Sequence, residues 1–412
     1  MNIFGRGGVQ PLSGIRVLDW TIWQFGPMST VMLADLGAEV IKIEQKGVGD
    51  PGRGMLRIRG IPTGLPGGRN YYFESCNRHK KGIALDLKAP GGVEVVRRLV
   101  ANSDVIVQNF RTGVAERLGL DYAALRRDNP KLIYASASGW GPLGPESQEP
   151  AFDYLGLARS GIMFAAGEPE SPPTGLVGGI SDQMGAIMLA HGVVLAVLAR
   201  ERYGMGQEVS VSHLSSMMAL QGLSVSLACL LDRDFPRQAR DRAWNPMWNH
   251  YRCADGRWLA LAHLQPDRYW EHFCRAVGRP EMASDPRFAS ALEREQHAAE
   301  AVASLDEIFL ERTAEEWVGF LKEKGDFIVT PINSVADLLH DQQVVENRYL
   351  HECDHPDMGR VRVAGPPVGL SETPAQVAFP APHLGEHTEQ VLQEVGGYSS
   401  REIESLKQEG VI

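Results

Sequence analysis

Cysteine is scarce in this chain and is never paired in a way that gives it structural work. There are five in 412 residues (Cys76, Cys229, Cys253, Cys274 and Cys353), and no Cys-x-x-Cys occurs. That argues against a disulfide scaffold and predicts a reduced, cytoplasmic protein. Apolar runs read as shorter than the ~18 residues a bilayer span needs. The opening residues, 1–8, lack the apolar centre of a secretory signal, so no membrane partner is expected. Positive charge is not in excess: 41 Lys and Arg against 51 Asp and Glu leave a net charge of −10. Nucleic acid is therefore not an expected partner. No G-x-S-x-G elbow, P-loop or internal repeat is present, which removes a serine-nucleophile reading.

What is there belongs to a folded protein, 43% hydrophobic and 22% charged, long enough for two or three domains. Residues 15–20, 39–44, 83–87, 104–110 and 132–136 read as short apolar or β-branched strands. Helical stretches, among them 26–36 and 90–102, lie between them. Such alternation predicts an α/β fold with a parallel, Rossmann-like sheet covered on both faces. Residues 21–27, after the first strand, lack the G-x-G-x-x-G that cradles a pyrophosphate, so a nicotinamide enzyme is disfavoured. Residues 47–70, rich in Gly, Pro and Arg, predict a long loop. Beyond Gly206 the pattern gives a strand at 207–211 and a helix at 214–231. A hairpin turning on Asp255-Gly256 follows, then helices to about Lys324. A strand at 361–363 and helices at 388–395 and 400–407 close the chain. The predicted division is a large domain at 1–205, a linker at 206–230 and a smaller α/β domain at 231–325. Residues 326–412 are then a linker and a C-terminal return to the large domain.

Residues 178–190 carry the strongest chemical signal. Gly178 and Gly179 run into Ser181, read as a helix N-cap, and then Asp182 at the start of a long apolar helix. A helix N-terminus favours the ionised carboxylate, and unshielded glycine amides beside it can stabilise an oxyanion. Asp182 can thus be a covalent nucleophile, although this stretch alone favours the plainer reading of an acidic first-turn residue stabilising its own helix. Between Lys42 and Lys88 lie ten Lys and Arg against four Asp and Glu. That excess suits an anionic, phosphorylated ligand, or simply a solvated loop. His351 to His355 reads as a hydrated turn, not a metal site, because no second ligand cluster has zinc spacing. His383 and His387 read as structural, and His191 as a core histidine. The stretch 244–250, with Trp244 and Trp248, either lines a pocket or packs a domain junction.

These residues together resemble the class III CoA-transferases. The likeness is carried by 12–21, Gly26-Pro27, 33–44, Gly49-Asp50, 77–88 and Asn109-Phe110, then by 138–141, 204–207 and 384–388. It spans almost the whole chain in order. The resemblance implies Asp182 as nucleophile and Gln24, Phe25, Lys88, Asn109, Phe110, Arg111 and Arg117 as coenzyme A contacts. A basic residue of the family is replaced by Gln45, with Lys46 as a possible substitute. It also implies an interlocked homodimer, acyl-CoA and a small carboxylic acid as substrates, and no metal or permanently bound cofactor. The related α-methylacyl-CoA racemases place a histidine just before an aspartate. Here Phe152 precedes Asp153, and phenylalanine cannot move a proton. The expected reaction is CoA transfer through an aspartyl anhydride and an aspartyl-CoA thioester. A racemase of the same fold and a non-catalytic CoA-binding protein are the alternatives.

Overall fold

The computed structural model describes residues 8–412. Six strands form one parallel sheet: β1 (Arg16–Trp20), β2 (Glu39–Gln45), β3 (Lys81–Leu85), β4 (Val105–Gln108), β5 (Ile133–Ser138) and β6 (Glu208–Ser212). All six lie where the apolar pattern predicts strands. Their order is β6-β5-β4-β1-β2-β3. Val17 pairs in register with Val40 on one side and Val105 on the other. Successive side chains point to opposite faces of a strand, and two cores result. Leu18, Ile41, Ile83 and Ile106 pack on one face against Val95, Leu99, Val391 and Leu406. Val17, Val40, Val105 and Ile133 pack on the other against Phe25, Leu33, Leu189 and Val193. Each such side chain, fully buried, contributes about 1.5–3 kcal/mol.

The chain runs outward from β1 through β2 and β3, then returns to the far side of β1 to lay down β4, β5 and β6. The strand order therefore reverses between β1 and β4. In open α/β sheets, ligands bind outside the carboxyl ends of the strands at such a reversal. The helices that matter for this edge are α1 (Phe25–Asp35), α2 (Pro90–Val100), α3 (Asp153–Arg159), α4 (Ile180–Tyr203), α5 (His213–Leu220) and α6 (Gly222–Leu231).

Several sequence expectations are corrected. α4 starts at Ile180 on a left-handed Gly179 (φ 65°), so Ser181 lies inside the first turn and does not cap it. The expected single helix at 214–231 is two helices bent by 83°. Gln221 leaves helical geometry there, its amide donating to the Ser160 carbonyl, and Gly222 follows. His191 is exposed on α4, not core. Residues 351–355 lie in a strand, Leu350–His355, paired with Gly359–Ala364. α4 is also long and apolar enough by composition to cross a membrane. Asp182 and His191 break its apolar letters in the sequence, which hid this. Its inner face packs in the large core through Leu189, Val193 and Val197.

Two compact units divide the chain. The first holds residues 8–163, 175–232 and 347–412, and the second 164–174 and 233–346. The second is built on an antiparallel sheet, β7 (Trp248–Arg252), β8 (Trp258–Ala262) and β9 (Val329–Ile332). The predicted hairpin on Asp255-Gly256 joins β7 to β8, with Gly256 at φ 77°. Its core is aromatic: Tyr251 stacks on Phe309 (4.9 Å), and Trp317 meets Phe309 edge-on (5.2 Å). In the 244–250 stretch, Asn245 and Met247 are buried in this unit, while Trp244 and Trp248 stay partly exposed.

Candidate active site

Asp182 stands in the first turn of α4. Its backbone N–H and that of Ser181 both donate to Asp153 Oδ1, at 3.1 and 2.7 Å. The carboxylate that opens α3 thus takes the capping role expected of Ser181, whose own Oγ is buried and unpartnered. Burial, and then the charge of Asp182, hold Asp153 above the usual carboxylate range despite these donors.

The Asp182 side chain meets a partner the sequence did not suggest. His213 Nε2 lies 2.7 Å from Asp182 Oδ1. His213 is the first residue of α5, immediately beyond the carboxyl end of β6, and Ser212 and Ser215 lock that entry with a reciprocal capping box. Its ring packs against Phe25 at 4.7 Å. Two glycines allow the close approach. A Cβ on Gly156 would fall 2.2 Å from Ser181 Oγ and 2.8 Å from His213 Cβ, and one on Gly185 would strike the Phe25 ring at 2.6 Å. Among the described residues none hydrogen-bonds Asp182 Oδ2, and the side chain is 16% exposed.

Asp182 and His213 open into a cleft of about 360 Å³ that Phe25, Asn109, Arg111 and Phe152 also line. A second crevice, of about 460 Å³, runs over the carboxyl ends of β1, β2 and β3 and is lined by Trp20, Gln45, Leu85, Lys88 and Arg117. The two share Ile22, Phe110 and Val114 in their linings, so they adjoin. At the strand reversal the Asn109 amide fastens the edge: Oδ1 accepts from Ile22 N (2.9 Å) and Nδ2 donates to Ile22 O (2.7 Å). Six of the seven anticipated coenzyme contacts thus line these two adjoining pockets, which together form the groove. Gln24, the seventh, lines neither part. Its amide lies against Gly179 and donates to that carbonyl at 3.3 Å. Lys46 donates to the Gly410 carbonyl, and Gln45 itself lines the crevice.

The basic stretch turns out to be largely internal. Lys42 pairs with Asp50 (2.9 Å), Lys80 with Asp19 (2.7 Å), Arg53 with Glu44 (2.7 Å), and Arg78 with Asp35. Arg69 is held by Glu74 and Asp357. Of the ten cations from Lys42 to Lys88, Lys88 alone lines the groove. Burial would raise Asp19, but Lys80 and Lys42 outweigh it and hold its carboxyl at about 2. Burial dominates for Lys80, whose ammonium is lowered to about 8. Among the described residues no group of three or more His, Cys, Asp or Glu is placed to hold a metal ion.

The sequence profile of CoA-transferase family III matches residues 12–388. The chain belongs to that family. It is an enzyme with CoA-transferase activity, as its relatives' names agree. It is 32% identical over 405 residues to the succinyl-CoA:glutarate CoA-transferase of Mus musculus, covering 98% of this chain and 91% of that one. The succinyl-CoA–D-citramalate CoA-transferase of Chloroflexus aurantiacus is 31% identical, with 98% of each chain covered. Among solved structures, a CAIB/BAIF family protein from Brucella suis superposes with a TM-score of 0.84 at 27% identity, over 94% of this enzyme and 100% of that chain.

Sequence reading missed His213 and the capping role of Asp153. A signal for the first was present. Ser212-x-x-Ser215 directly after a β-branched strand marks a helix start, which puts His213 at the carboxyl edge of the sheet.

Proposed function

We propose that the enzyme moves CoA from an acyl-CoA thioester to a free carboxylic acid by covalent catalysis at Asp182. Oδ2 attacks the thioester carbonyl, giving an acyl-aspartyl anhydride and CoA thiolate. The thiolate attacks the aspartyl carbon, forming an aspartyl-CoA thioester and releasing the first acid. The acceptor carboxylate then attacks that thioester, and the freed thiolate takes the new acyl group, restoring Asp182. Every bond made is matched by one broken, and no redox step or metal is required. Proximity of the reacting groups supplies much of the rate.

The observation that carries this reading is the geometry of Asp182. One carboxylate oxygen is anchored on His213, the other has no hydrogen-bond partner among the described residues, and the side chain lines the cleft. The coenzyme's apolar and phosphate parts are assigned to the two adjoining pockets, with Lys88, Arg111 and Arg117 for the phosphates. A racemase needs two groups on opposite sides of a substrate carbon. His213 and Asp182 touch each other at 2.7 Å, which leaves no carbon-sized gap between them.

Asp182→Ala is expected to lower acyl exchange at least about 10³-fold. Intact-protein mass spectrometry with acyl-CoA alone is expected to find CoA on the wild type and none on the variant. Substantial turnover by Asp182→Ala would sink the proposal. Succinyl-CoA, the donor named for two relatives, assayed with glutarate, citramalate and oxalate, would sort the acceptor acid.

A homodimer is part of the same reading. α6 is apolar and has no buried residue, with Leu223 and Leu230 78% and 80% exposed. Ile187, Leu195 and Leu198 form a further exposed apolar stripe on α4. Exposed apolar helix faces of this kind call for a partner, and light scattering that returned a monomeric mass would remove it.

A further inference from the structure

We infer that His213 is a catalytic residue, the oxyanion donor for the two steps in which the carbonyl carbon of Asp182 is itself attacked. The inference rests on the aspartyl-anhydride reading above and assigns a group to half of its additions.

The argument starts from the atom His213 touches. Asp182 reacts through Oδ2, so Oδ1 remains as the aspartyl carbonyl oxygen in both the anhydride and the CoA thioester. When thiolate attacks the anhydride, or the acceptor carboxylate attacks the thioester, electrons move from the aspartyl C=O onto Oδ1. The tetrahedral intermediate carries its negative charge there. His213 Nε2 already sits 2.7 Å from that oxygen, inside the 2.7–3.1 Å an oxyanion donor needs. An ionised carboxylate has no proton to give, so Nε2 carries the hydrogen and donates it. In the resting carboxylate the charge is shared between two oxygens. In the intermediate it is localised on one, and the same hydrogen bond strengthens. A contact stronger in the transition state than in the ground state is the kind that raises kcat.

Among the described residues no second hydrogen-bonding group holds the ring. Nδ1 is buried with no hydrogen-bond partner among the described residues, and the side chain is 7% exposed. Phe25 packs against the ring at 4.7 Å, and the absence of a side chain at Gly156 leaves room for the His213 Cβ. The contact also selects the nucleophile, because occupying Oδ1 leaves Oδ2 as the oxygen that attacks.

The test separates the two kinds of addition. Enzyme is mixed with acyl-CoA and no acceptor acid, and the protein mass is followed with time. In the wild type the CoA adduct accumulates as one acid per active site is released. With His213→Leu the first attack, at the substrate carbonyl, still proceeds, so the protein is expected to carry the acyl group in place of CoA. Steady-state exchange falls about 100-fold, and KM for the thioester changes little. His213→Gln, whose amide N–H reaches a similar point, regains at least about tenfold of the loss. Formation of the CoA adduct by His213→Leu at the wild-type rate would overturn the assignment. So would a parallel fall of both adducts with no recovery in His213→Gln, since that is the signature of a merely structural ring. Wild-type exchange without any CoA adduct would instead overturn the aspartyl reading, and the role of His213 with it.

Discussion

The two compact units bury very different things. Beneath the β1–β2–β3 side of the first unit lie Asp19, Lys42, Asp50 and Lys80, all ion-paired and each under 7% exposed. The second unit buries rings: Tyr251, Phe273, Phe309 and Trp317, each 1% exposed or less. Apolar packing is the cheaper way to stabilise a fold, because a buried ion pair loses most of its Coulombic gain to desolvation. The ionic core must therefore be read by what it fixes. Lys42 Nζ donates to the Thr21 carbonyl, Asp50 Oδ1 accepts from Trp23 N, and Lys80 donates to the Pro27 carbonyl. Each bond fastens the turn that leads from β1 into α1 along the groove. Rings would fill the same space without gripping a backbone. The first unit uses a network of charges where a loop must be held. The second relies mainly on ring area, with the buried Arg294, paired to Asp267, gripping the Phe288 carbonyl.

The largest effect that tests this contrast comes from unpairing the ionic core. Lys80→Met leaves Asp19 buried with its nearest cation gone and is expected to destabilise by about 3–5 kcal/mol. Urea unfolding should recover much of that in the Asp19→Asn, Lys80→Met double variant. A loss under 1 kcal/mol in the single variant would mean that the network is incidental. Next in size is the acid limb. The Asp19 carboxyl in the fold titrates at about 2 against an ordinary 3.8, so it contributes stability above 3.8 that is lost as pH falls through 2. That loss is about 2 kcal/mol, and it should vanish from the acid unfolding curve of Asp19→Asn. The smallest effect belongs to the aromatic core. Tyr251→Phe removes the hydroxyl that donates to the Pro246 carbonyl at 2.5 Å but keeps the ring, and should cost about 1 kcal/mol by the same urea measurement. A larger penalty there than for Lys80→Met would reverse the comparison.

Much of the fold could be read in advance because its strands are buried on both faces. Such strands announce themselves as short apolar, β-branched runs, unbroken in β4 and interrupted once each in β1 and β2 by the buried Asp19 and Lys42. Asp182 was visible for a local reason, a carboxylate after a glycine pair at a helix start. What failed was whatever depends on side chains meeting across the fold. The cations from Lys42 to Lys88 look like a basic surface when counted along the chain. Their partners Asp19, Asp35 and Asp357 lie outside that stretch, and the pairing turns the charge inward. His213 is 31 residues from Asp182, and only the parallel placement of β6 brings its end to the start of α4. Ser181 was misread as a cap because a carboxylate from another helix, Asp153, satisfied the same amides first.

The double hydrogen bond between Asn109 and Ile22 has a thermodynamic consequence. It closes the seam at the strand reversal before any ligand arrives, so in the proposed binding mode coenzyme would meet an edge already fixed at Asn109 and Ile22. Titration calorimetry would then record a negative heat-capacity change set by the apolar lining alone, from Trp20, Leu85 and Phe110, without the larger signal of a segment folding on binding.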